Sequence, residues 1–403
     1  MASPTPMQQK AIDLADKWFR SNEKTKRPFI LTGWAGTGKS FTISRIVEKL
    51  GIHSDEVKFV SFTGMAASVL SKNGNPATTI HKLIYNPMPL KNGGVKFELK
   101  EDLGAGIKLI IVDEFSTVGN KLMEDLEEFN IPIMLVGDPG QLPPVKSKEN
   151  KYINKSDIVL TEVMRQALDN PIIYIATQIR KGERVEFGNY DDKVMVLSKD
   201  DLDLEHIAWA DQILANRNAT VDQFNNLVRD EIYQLDTPFP HVGEKLLCLK
   251  NDWSKFIKAG DNDQYLVNGL LGIVEDIGDY QSSVDAFDID FRPLFLNTDN
   301  KFETILTDGI YFSEGIKDDN PLFLDKELKD KYKKTLIRRK SLEDTEFKKV
   351  NKFTYGYAIT VYKSQGSQFE NVLYYRDTTS PKLQKRSDYV AVTRAEESLL
   401  YFK

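Results

Sequence analysis

The sequence predicts an α/β protein, and three observations lead to that prediction. Short apolar runs alternate with helix-length stretches in the first half of the chain, a glycine-rich loop joins the first run to a helix, and the alternation returns near the C-terminus. The strand candidates are Phe29–Thr32, Val57–Phe62, Leu109–Val112, Ile133–Val136, Val372–Tyr375 and Leu399–Phe402. Continuous apolar runs of this kind are typical of parallel strands covered by helices on both faces.

The glycine-rich loop spans residues 33–40, which read GWAGTGKS. The spacing G-x-x-x-x-G-K-S describes a loop whose backbone N–H groups surround a polyphosphate, with Lys39 beside the β- and γ-phosphates and the Ser40 hydroxyl on Mg²⁺. A helix should follow, because apolar residues recur at helical spacing up to Gly51, and its N-terminus would face the phosphates. The sequence therefore predicts binding of a nucleoside triphosphate. The expected contacts are Gly33, Gly36, Thr37, Gly38, Lys39 and Ser40.

Composition sets broad limits on the class of protein. The 403 residues exceed one typical core, so two or three domains are expected. One cysteine, Cys248, and four histidines argue against a structural zinc site and a disulfide framework, and they suit a reducing cytoplasm. No membrane association is expected, since no apolar run is long enough to cross a bilayer and the N-terminus lacks a signal-peptide core. The net charge of −6 argues against non-specific coating of nucleic acid but allows a local basic groove.

The α/β pattern is interrupted between Tyr85 and Gly106 by Pro, Gly, Asn and charged residues. Within this stretch Val95 and Phe97 alternate around Lys96, which is the two-residue period of a strand. The sequence therefore predicts a small hairpin, at about 85–106, inserted before the Leu109 strand.

Polar residues follow the next two strand candidates directly. Asp113 and Glu114 come after the Leu109 run, where Asp113 would lie near Mg²⁺ if that strand ran beside the loop strand. Glu114 would then act as a general base on the attacking water. Gln141 lies in the segment GDPGQLPPV, residues 137–145, and could detect the γ-phosphate. Without the glycine loop this segment would be interpreted as a turn and nothing more.

A second α/β unit is predicted to begin near residues 212–215, followed by a helix with Thr220 as a possible N-cap. The stretch from about 243 to 349 differs, because apolar and acidic residues alternate with a β period at 287–291 and turn residues recur. It closes with a basic stretch, 326–349, for which a solvated helix face and a phosphate contact are both open interpretations. The predicted domains are 1–165 with its hairpin, 166–242 together with 350–403, and the insertion 243–349.

The order and spacing of these motifs resemble superfamily 1 helicases. The glycine loop, the segment DEFS at 113–116 and GDPGQLPPV look like motifs I, II and III of that family. Residues 7–11 resemble the Q motif, 62–67 motif Ia, 79–81 motif Ib, 160–166 motif IV of the RecD-like branch, 361–368 motif V and 389–395 motif VI. Within the family the likeness is greatest to the phage Dda-type helicases of the RecD-like 5′→3′ group. The sequence departs from motif Ia in one respect, because Phe62 stands where proline is common.

The resemblance implies a fold and an activity. The fold would be two RecA-like P-loop domains, with a small hairpin insertion in the first and a β-rich SH3-like insertion in the second. The activity would be ATP hydrolysis with Mg²⁺, driving 5′→3′ movement on single-stranded DNA and separation of a forked duplex. Replication or recombination proteins are possible partners, and the chain is expected to be a monomer.

The resemblance also assigns roles to individual residues. Gln9 would read adenine, and Gly366 would contact the nucleotide. Arg165 and Arg394 would face the γ-phosphate, where an arginine neutralises charge that develops in the transition state. The expected DNA contacts are Thr63, Gly64, His81, Phe97, Lys363 and Ser364. For Phe97, a wedge at the fork and an apolar filling of the hairpin's own core are both open.

Two other functions compete with the helicase interpretation. A small-molecule kinase could use the same glycine loop, but it would not need Gln141, Arg165 or a second α/β domain. A non-catalytic ATP-gated module would not need Glu114 and both arginines. An ATPase stimulated by single-stranded DNA, acting as a translocase or as a remodeller or loader without processive unwinding, satisfies all of these residues and remains the alternative.

Overall fold

The computed structural model describes residues 3–72, 74–89, 95–143, 151–153, 155–164, 169–259, 262–294, 299–313, 326–341 and 350–403. The strands of these ranges are β1 (Phe29–Gly33), β2 (Val57–Ser61), β3 (Ala77–Thr79), β4 (Tyr85–Pro89), β5 (Val95–Leu99), β6 (Leu109–Val112), β7 (Ile133–Gly137), β8 (Ile158–Leu160), β9 (Gly188–Tyr190), β10 (Val194–Leu197), β11 (Gln212–Ala215), β12 (Lys245–Cys248), β13 (Asp252–Ala259), β14 (Asn262–Leu266), β15 (Leu271–Ile277), β16 (Ala286–Pro293), β17 (Phe302–Asp308), β18 (Phe353–Tyr355), β19 (Ala358–Thr360), β20 (Phe369–Tyr375) and β21 (Ala395–Phe402).

The α-helices of the same ranges are α1 (Pro6–Arg20), α2 (Lys39–Leu50), α3 (Gly64–Lys72), α4 (Ile80–Ile84), α5 (Asn120–Glu127), α6 (Pro171–Lys181), α7 (Leu204–Trp209), α8 (Asn218–Leu227), α9 (Gly309–Ser313), α10 (Lys326–Ser341) and α11 (Pro381–Val392). Among the described helices, none combines the length and the apolar character needed to cross a membrane.

The chain divides into two compact units. Unit 1 consists of Met1–Asn86, Leu99–Asn216 and Ser364–Lys403, and unit 2 of Pro87–Glu98 and Arg217–Lys363. Unit 1 therefore contains the parallel strands from both ends of the chain. The finer division into two RecA-like domains at 165/166, with an insertion at 243–349, stays a prediction.

The first sheet of unit 1 has the strand order β3-β2-β6-β7-β1-β8, and its strand pairs are parallel. Its strands confirm the predicted α/β fold and the apolar runs that predicted it. β1 and β7 extend one residue beyond their predicted ends, whereas β2 ends one residue earlier, at Ser61. The condition under which the sequence placed Asp113 near Mg²⁺, a strand directly beside the loop strand, is not met, because β7 lies between β6 and β1.

Both faces of this sheet are covered, which explains the continuous apolar runs. On one face Leu31 packs in a cluster with residues of α1 and α2. On the other face Ile30 packs in a cluster with residues of α4 and α5. Neighbouring residues of a strand point to opposite faces, so each strand must be apolar throughout. Helix α2 ends at Gly51, as the sequence predicts, in a left-handed conformation with φ 68°.

The second sheet of unit 1 contains the order β11-β20-β21-β10-β9. Its pairs are parallel except for β9, which runs antiparallel to β10 at the edge. The predicted strands Val372–Tyr375 and Leu399–Phe402 are the C-terminal parts of β20 and β21, which begin several residues earlier. Helix α11 connects these two strands and carries residues of the site described below.

Unit 2 is built around an antiparallel sheet with the order β17-β16-β15-β12-β18. The alternation at 287–291 is confirmed, since Phe287, Ile289 and Phe291 are buried in its core. Thr220 is not the N-cap of the helix that opens this unit, because α8 begins at Asn218 and Arg217 holds the extended backbone of a cap. The likeness of this insertion to an SH3 domain stays a prediction.

A buried ion pair ties the start of unit 2 to its sheet. The Arg229 Nε lies 2.8 Å from Glu244 Oε1, and both side chains are almost fully buried. The same carboxylate accepts hydrogen bonds from the Tyr357 hydroxyl at 3.0 Å and from the backbone N–H of His241 at 2.8 Å. The Arg229 guanidinium lies 4.1 Å from the centre of the Tyr355 ring. The charge is therefore fully compensated inside the protein.

The basic stretch forms helix α10 over residues 326–341. Glu327, Lys331 and Lys334 are exposed on it, and the buried hydroxyl of Thr335 donates to Asp285 Oδ2 at 2.9 Å. Its described charged side chains thus form a solvated face, anchored at one buried threonine. Contact of this helix with phosphate stays a prediction.

Candidate functional site

The glycine loop is folded around the Lys39 side chain. The Lys39 ammonium donates to the carbonyl oxygens of Gly33 at 2.8 Å and Trp34 at 3.3 Å. Gly38 has a left-handed backbone with φ 75°, and a Cβ there would lie 2.6 Å from the Gln8 side-chain nitrogen. Only glycine meets both conditions. The loop is thus a compact turn that brings a lysine to the N-terminus of α2.

The glutamine beside this loop is Gln8, and the prediction for Gln9 is wrong. Gln9 is exposed on α1, where its amide donates to Asp13 Oδ1 at 3.0 Å. Gln8 is 1% exposed and donates to the carbonyl oxygen of Thr37 at 3.1 Å. The reason is the helical period, which places Gln8 on the inward face. That face also carries Ala11, Ile12 and Ala15, a spacing visible in the sequence.

A cavity of about 520 Å³ lies at the carboxyl ends of β1, β6 and β7. We call it the nucleotide cavity. Eight residues predicted from the sequence line it, namely Gly36, Lys39, Ser40, Asp113, Glu114, Gln141, Gly366 and Arg394. Asp113 reaches it although β6 does not pair with β1, because carboxyl ends of parallel strands meet at one edge of a sheet. Gly33, Thr37 and Gly38 shape the loop behind it.

Glu114 is held in an unusual backbone conformation next to Asp113. Its φ of 53° lies in the left-handed region, which a non-glycine residue seldom adopts. Its Oε2 atom is buried, and the described residues offer that atom no hydrogen-bond donor. Burial and the neighbouring Asp113 raise the pKa of Glu114 to about 7, against the opposing effect of Arg394 and Lys39. Burial also raises the pKa of Asp113, and Lys39 counteracts part of that rise.

Gln141 is fixed by a residue whose role the sequence did not reveal. The Ser116 hydroxyl donates to Gln141 Oε1 at 2.9 Å, and both side chains are buried. Because the amide oxygen of Gln141 accepts this hydrogen bond, the amide nitrogen is the group that Gln141 offers to a ligand, as a donor. Ser116 follows Glu114 by two residues, so one short turn carries both the acid and the partner of the glutamine. The sequence signal that could have revealed this role is the serine of the segment DEFS, which is Ser116.

Arg394 is a buried cation of the nucleotide cavity. Its guanidinium donates to the carbonyl oxygens of Ser367 at 3.0 Å and Val390 at 3.1 Å. Burial lowers the pKa of Arg394, and the carboxylates of Glu114 and Asp138 oppose that effect. Its electrostatic partners are therefore the acids after β6 and β7. Arg165, the other predicted arginine, lies outside the described residues, as do 144 and 145 of the segment GDPGQLPPV.

The residues expected to contact DNA differ in their accessibility. Thr63 caps α3, since its hydroxyl accepts from the Ala66 N–H at 3.2 Å, and Gly64 is buried as the first residue of that helix. The His81 ring lies 6.0 Å from the ring of Phe62, which is 39% exposed. Burial lowers the pKa of His81. An exposed aromatic ring therefore stands beside a histidine that favours the neutral form.

The three remaining residues of the predicted DNA contacts are Lys363, Ser364 and Phe97. Lys363 is exposed, whereas Ser364 is 0% exposed. The structure thus contradicts a direct contact through the Ser364 side chain, because its hydroxyl does not reach the surface. Phe97 packs edge-to-face on Trp253 of β13, with ring centres 5.3 Å apart. Its packing is therefore not confined to the hairpin's own core, and its role as a wedge stays a prediction.

Two family models match the chain. The AAA domain model matches residues 19–201, and the UvrD-like helicase C-terminal domain model matches residues 355–400. The first range contains the glycine loop, Asp113, Glu114 and Gln141, and the second contains Gly366 and Arg394. The matches thus cover the two segments that build the nucleotide cavity.

Curated relatives carry helicase names. The ATP-dependent RecD2 DNA helicase of Deinococcus radiodurans is 36% identical over 174 residues, which are 40% of this chain and 23% of that protein. The ATP-dependent DNA helicase dda of Enterobacteria phage T4 is 28% identical over 448 residues, which are 95% of this chain and 96% of that protein. The chain therefore spans about a quarter of the first relative and nearly all of the second.

Solved structures show the same fold. A Bacteroides Pif1 bound to single-stranded DNA has a TM-score of 0.52 at 17% identity, with 100% of this chain and 93% of that chain covered. A Pif1 helicase studied at forked double-stranded DNA has a TM-score of 0.53 at 18% identity, with 100% and 92% covered. The fold is therefore the one seen in these Pif1 structures, and the glycine loop has the sequence pattern of a P-loop. The chain is thus similar in sequence to the RecD2 and dda helicases and in fold to the Pif1 helicases.

Proposed function

We propose that this chain is an ATP-dependent DNA helicase that moves 5′→3′ on single-stranded DNA and separates duplex strands. One observation carries the proposal: a single cavity is lined by Lys39, the acid pair Asp113 and Glu114, Gln141 and Arg394. This set can bind a triphosphate, activate water and neutralise the transition state. The helicase names of the relatives support the choice of substrate.

The chemistry follows from the lining residues. Lys39 binds the β- and γ-phosphates, and Glu114 accepts a proton from the attacking water through its unpaired Oε2. Arg394 and Arg165 neutralise the negative charge that develops on the γ-phosphate. Their approach depends on the triphosphate, which links hydrolysis to movement of the parts that carry them.

The cavity also suits Mg²⁺. The Ser40 hydroxyl and the Asp113 carboxylate are hard oxygen donors, and together with phosphate oxygens they form the sparse protein ligand set that Mg²⁺ prefers. When bound, the ion supplies positive charge to the phosphate oxygens. Ser40 and Asp113 are the residues that would hold it. The buried, unpaired carboxylate oxygen of Glu114 is consistent with a cationic or hydrogen-bonding ligand in this cavity.

We propose Thr63, His81 and Lys363 as residues that contact the single strand. Exposed rings bind single strands by stacking on bases, so Phe62 beside His81 adds an aromatic surface to this set. Phe97 would meet the duplex at the fork. We further propose that the protein works as a monomer in the cytoplasm of a bacterial or phage-infected cell, with replication or recombination proteins as partners.

Strand displacement on forked DNA with either a 5′ or a 3′ single-stranded overhang tests the proposal. We expect ATP-dependent unwinding only from the 5′ overhang, and ATP hydrolysis that rises steeply with single-stranded DNA. Unwinding only from the 3′ overhang would refute the proposed polarity. Hydrolysis stimulated by DNA without any strand displacement would identify a translocase, and hydrolysis indifferent to DNA would remove the helicase function.

Lys39→Ala is the control for the site itself. It removes the phosphate-binding cation, so we expect hydrolysis to fall at least about 100-fold while the melting temperature changes little. Lys49→Ala is the matched variant, because Lys49 is exposed in the last turn of the same helix. Normal turnover in Lys39→Ala would exclude the assigned nucleotide cavity.

A further inference from the structure

The hydroxyl of Tyr389 joins two loops of the nucleotide cavity. It donates to Asp138 Oδ2 at 2.6 Å and accepts from the Ala35 N–H of the glycine loop at 2.8 Å. The other carboxylate oxygen of Asp138 accepts from the Gly140 N–H at 2.8 Å. Tyr389 is 3% exposed and Asp138 is 7% exposed. One buried side chain of α11 thus bonds to the loops after β1 and after β7.

Close packing surrounds this hydroxyl. The Tyr389 ring meets the Trp34 ring edge-to-face, with centres 5.8 Å apart and planes at 87°. A Cβ on Gly140 would lie 2.7 Å from Trp34 Cζ3 and 2.8 Å from Tyr389 Cε1, so the backbone passes where no side chain fits. The Arg180 guanidinium lies 5.0 Å from the centre of the Trp34 ring. The two loops and α11 therefore form one packed group around Tyr389.

Each partner of Tyr389 stands next to a residue of the proposed chemistry. Ala35 precedes Gly36, which lines the nucleotide cavity. Asp138 holds the turn in which Gln141 lies. Tyr389 itself lies five residues before Arg394, at the end of α11. A change in the glycine loop would thus be transmitted through one hydroxyl to both the glutamine and the arginine.

We propose that Tyr389 is a positioning residue that couples the shape of the glycine loop to the placement of Gln141 and Arg394. The inference rests on the proposed ATPase function and deepens it. Tyr389 does not touch the reacting atoms. It makes Ala35 and Asp138 move together. The glycine loop and the groups that meet the γ-phosphate therefore adopt their active arrangement in one step.

The chemical state of the hydroxyl suits this role. Burial and the nearby Asp138 carboxylate hold the pKa of Tyr389 well above its usual value. The hydroxyl therefore keeps its proton at any working pH and can donate to Asp138 while accepting from Ala35. Phenylalanine at this position would preserve the ring packing on Trp34 and remove both hydrogen bonds.

The variant Tyr389→Phe tests the proposal against a merely structural role. Tyr152→Phe is the control, because Tyr152 is also buried, at 9% exposed, and its hydroxyl donates to Glu127 at 2.6 Å, but Glu127, unlike Asp138, does not line the nucleotide cavity. Both variants lose one hydroxyl–carboxylate bond of unit 1, and Tyr389→Phe also removes the acceptor of the Ala35 N–H. Both melting temperatures are therefore expected to fall, and that of Tyr389→Phe further.

The distinguishing readouts are kinetic. For Tyr389→Phe we expect the DNA-stimulated kcat for ATP to fall about tenfold, while the Kd of a fluorescent ATP analogue changes less than about threefold. For Tyr152→Phe both values should match those of the unchanged protein. An unchanged kcat in Tyr389→Phe, or an equal fall in both variants, would overturn the positioning role. If the unchanged protein showed no DNA-stimulated hydrolysis, the proposed function would fail and this inference with it.

Discussion

At the scale of single residues, the two adjacent glutamines of α1 show how one position decides a role. Gln8 bonds to the glycine loop, whereas Gln9 bonds to Asp13 on the exposed face. We expect Gln8→Ala to raise the KM for ATP about tenfold, because a buried hydrogen bond to the loop is lost. Gln9→Ala is the matched control and should leave KM unchanged. Equal effects in steady-state hydrolysis assays would contradict the assignment.

His81 makes folding stability depend on pH. Burial lowers its pKa below the usual 6.5, so the unfolded chain takes up a proton at a higher pH than the folded chain. The sign is therefore a loss of stability as the pH falls below about 6.5. In His81→Asn the free energy of unfolding should fall less between pH 7.5 and pH 5.5 than in the unchanged protein.

Urea unfolding at both pH values measures this difference. His241→Asn is the control, because the His241 side chain is exposed. If the pH dependence of stability were the same in His81→Asn as in the unchanged protein, protonation of His81 would not be linked to folding.

Residue identities in motifs were predictable, and their partners were not. The glycine loop, Asp113, Glu114, Gln141 and Arg394 come together as the order of motifs suggests. The hydrogen bonds of Ser116 and Tyr389 escaped prediction because they join segments far apart in sequence. Only the folded chain brings such donors and acceptors within reach.

At the scale of elements, the strands of the first sheet were predictable because burial on both faces leaves an uninterrupted apolar run. Their order was not, since the apolar run of β6 carries no sign that β7 separates it from β1. The N-cap of α8 escaped for a similar reason. Thr220 has the residue type of a cap, but the helix begins at Asn218, after an arginine whose side chain makes no capping hydrogen bond.

The buried pair Arg229–Glu244 makes a prediction about the stability of unit 2. Glu244→Gln leaves the Arg229 charge buried without a counter-ion, which should lower the free energy of unfolding by about 3 kcal/mol. Glu275→Gln is the control, because its pair with Arg292 is exposed and should be worth less than about 1 kcal/mol. Thermal melting compares the two, and similar shifts would show that Arg229 finds other compensation.

At the scale of the whole molecule, the hairpin and the insertion meet in unit 2 through Phe97 and Trp253. We expect Phe97→Ala to lower strand displacement at least about tenfold while DNA-stimulated ATP hydrolysis is retained. Phe187→Ala is the control, since this exposed phenylalanine lies in unit 1. Full unwinding by Phe97→Ala would exclude the wedge and assign Phe97 to packing on Trp253.

The broad architecture of the chain was predictable from the pattern of apolar, charged and turn residues along the sequence. The interruption at 85–106 contains the two-stranded sheet of β4 and β5, and the β period at 287–291 lies in the antiparallel sheet of unit 2. The boundaries between the compact units, at 216/217 and 363/364, were harder to predict from the sequence, because they depend on contacts between distant segments. Local composition does not change at either boundary.

The buried thiol of Cys248 has a practical consequence. It is the single cysteine of the sequence, it is 0% exposed, and its Sγ donates to the carbonyl oxygen of Lys250. A maleimide dye added to the native protein should therefore find no accessible target. Cysteines introduced at exposed sites such as Lys49 and Lys363 would accept fluorophores selectively. Energy transfer between such dyes would then measure, molecule by molecule, whether the distance between the labelled sites changes when ATP is added.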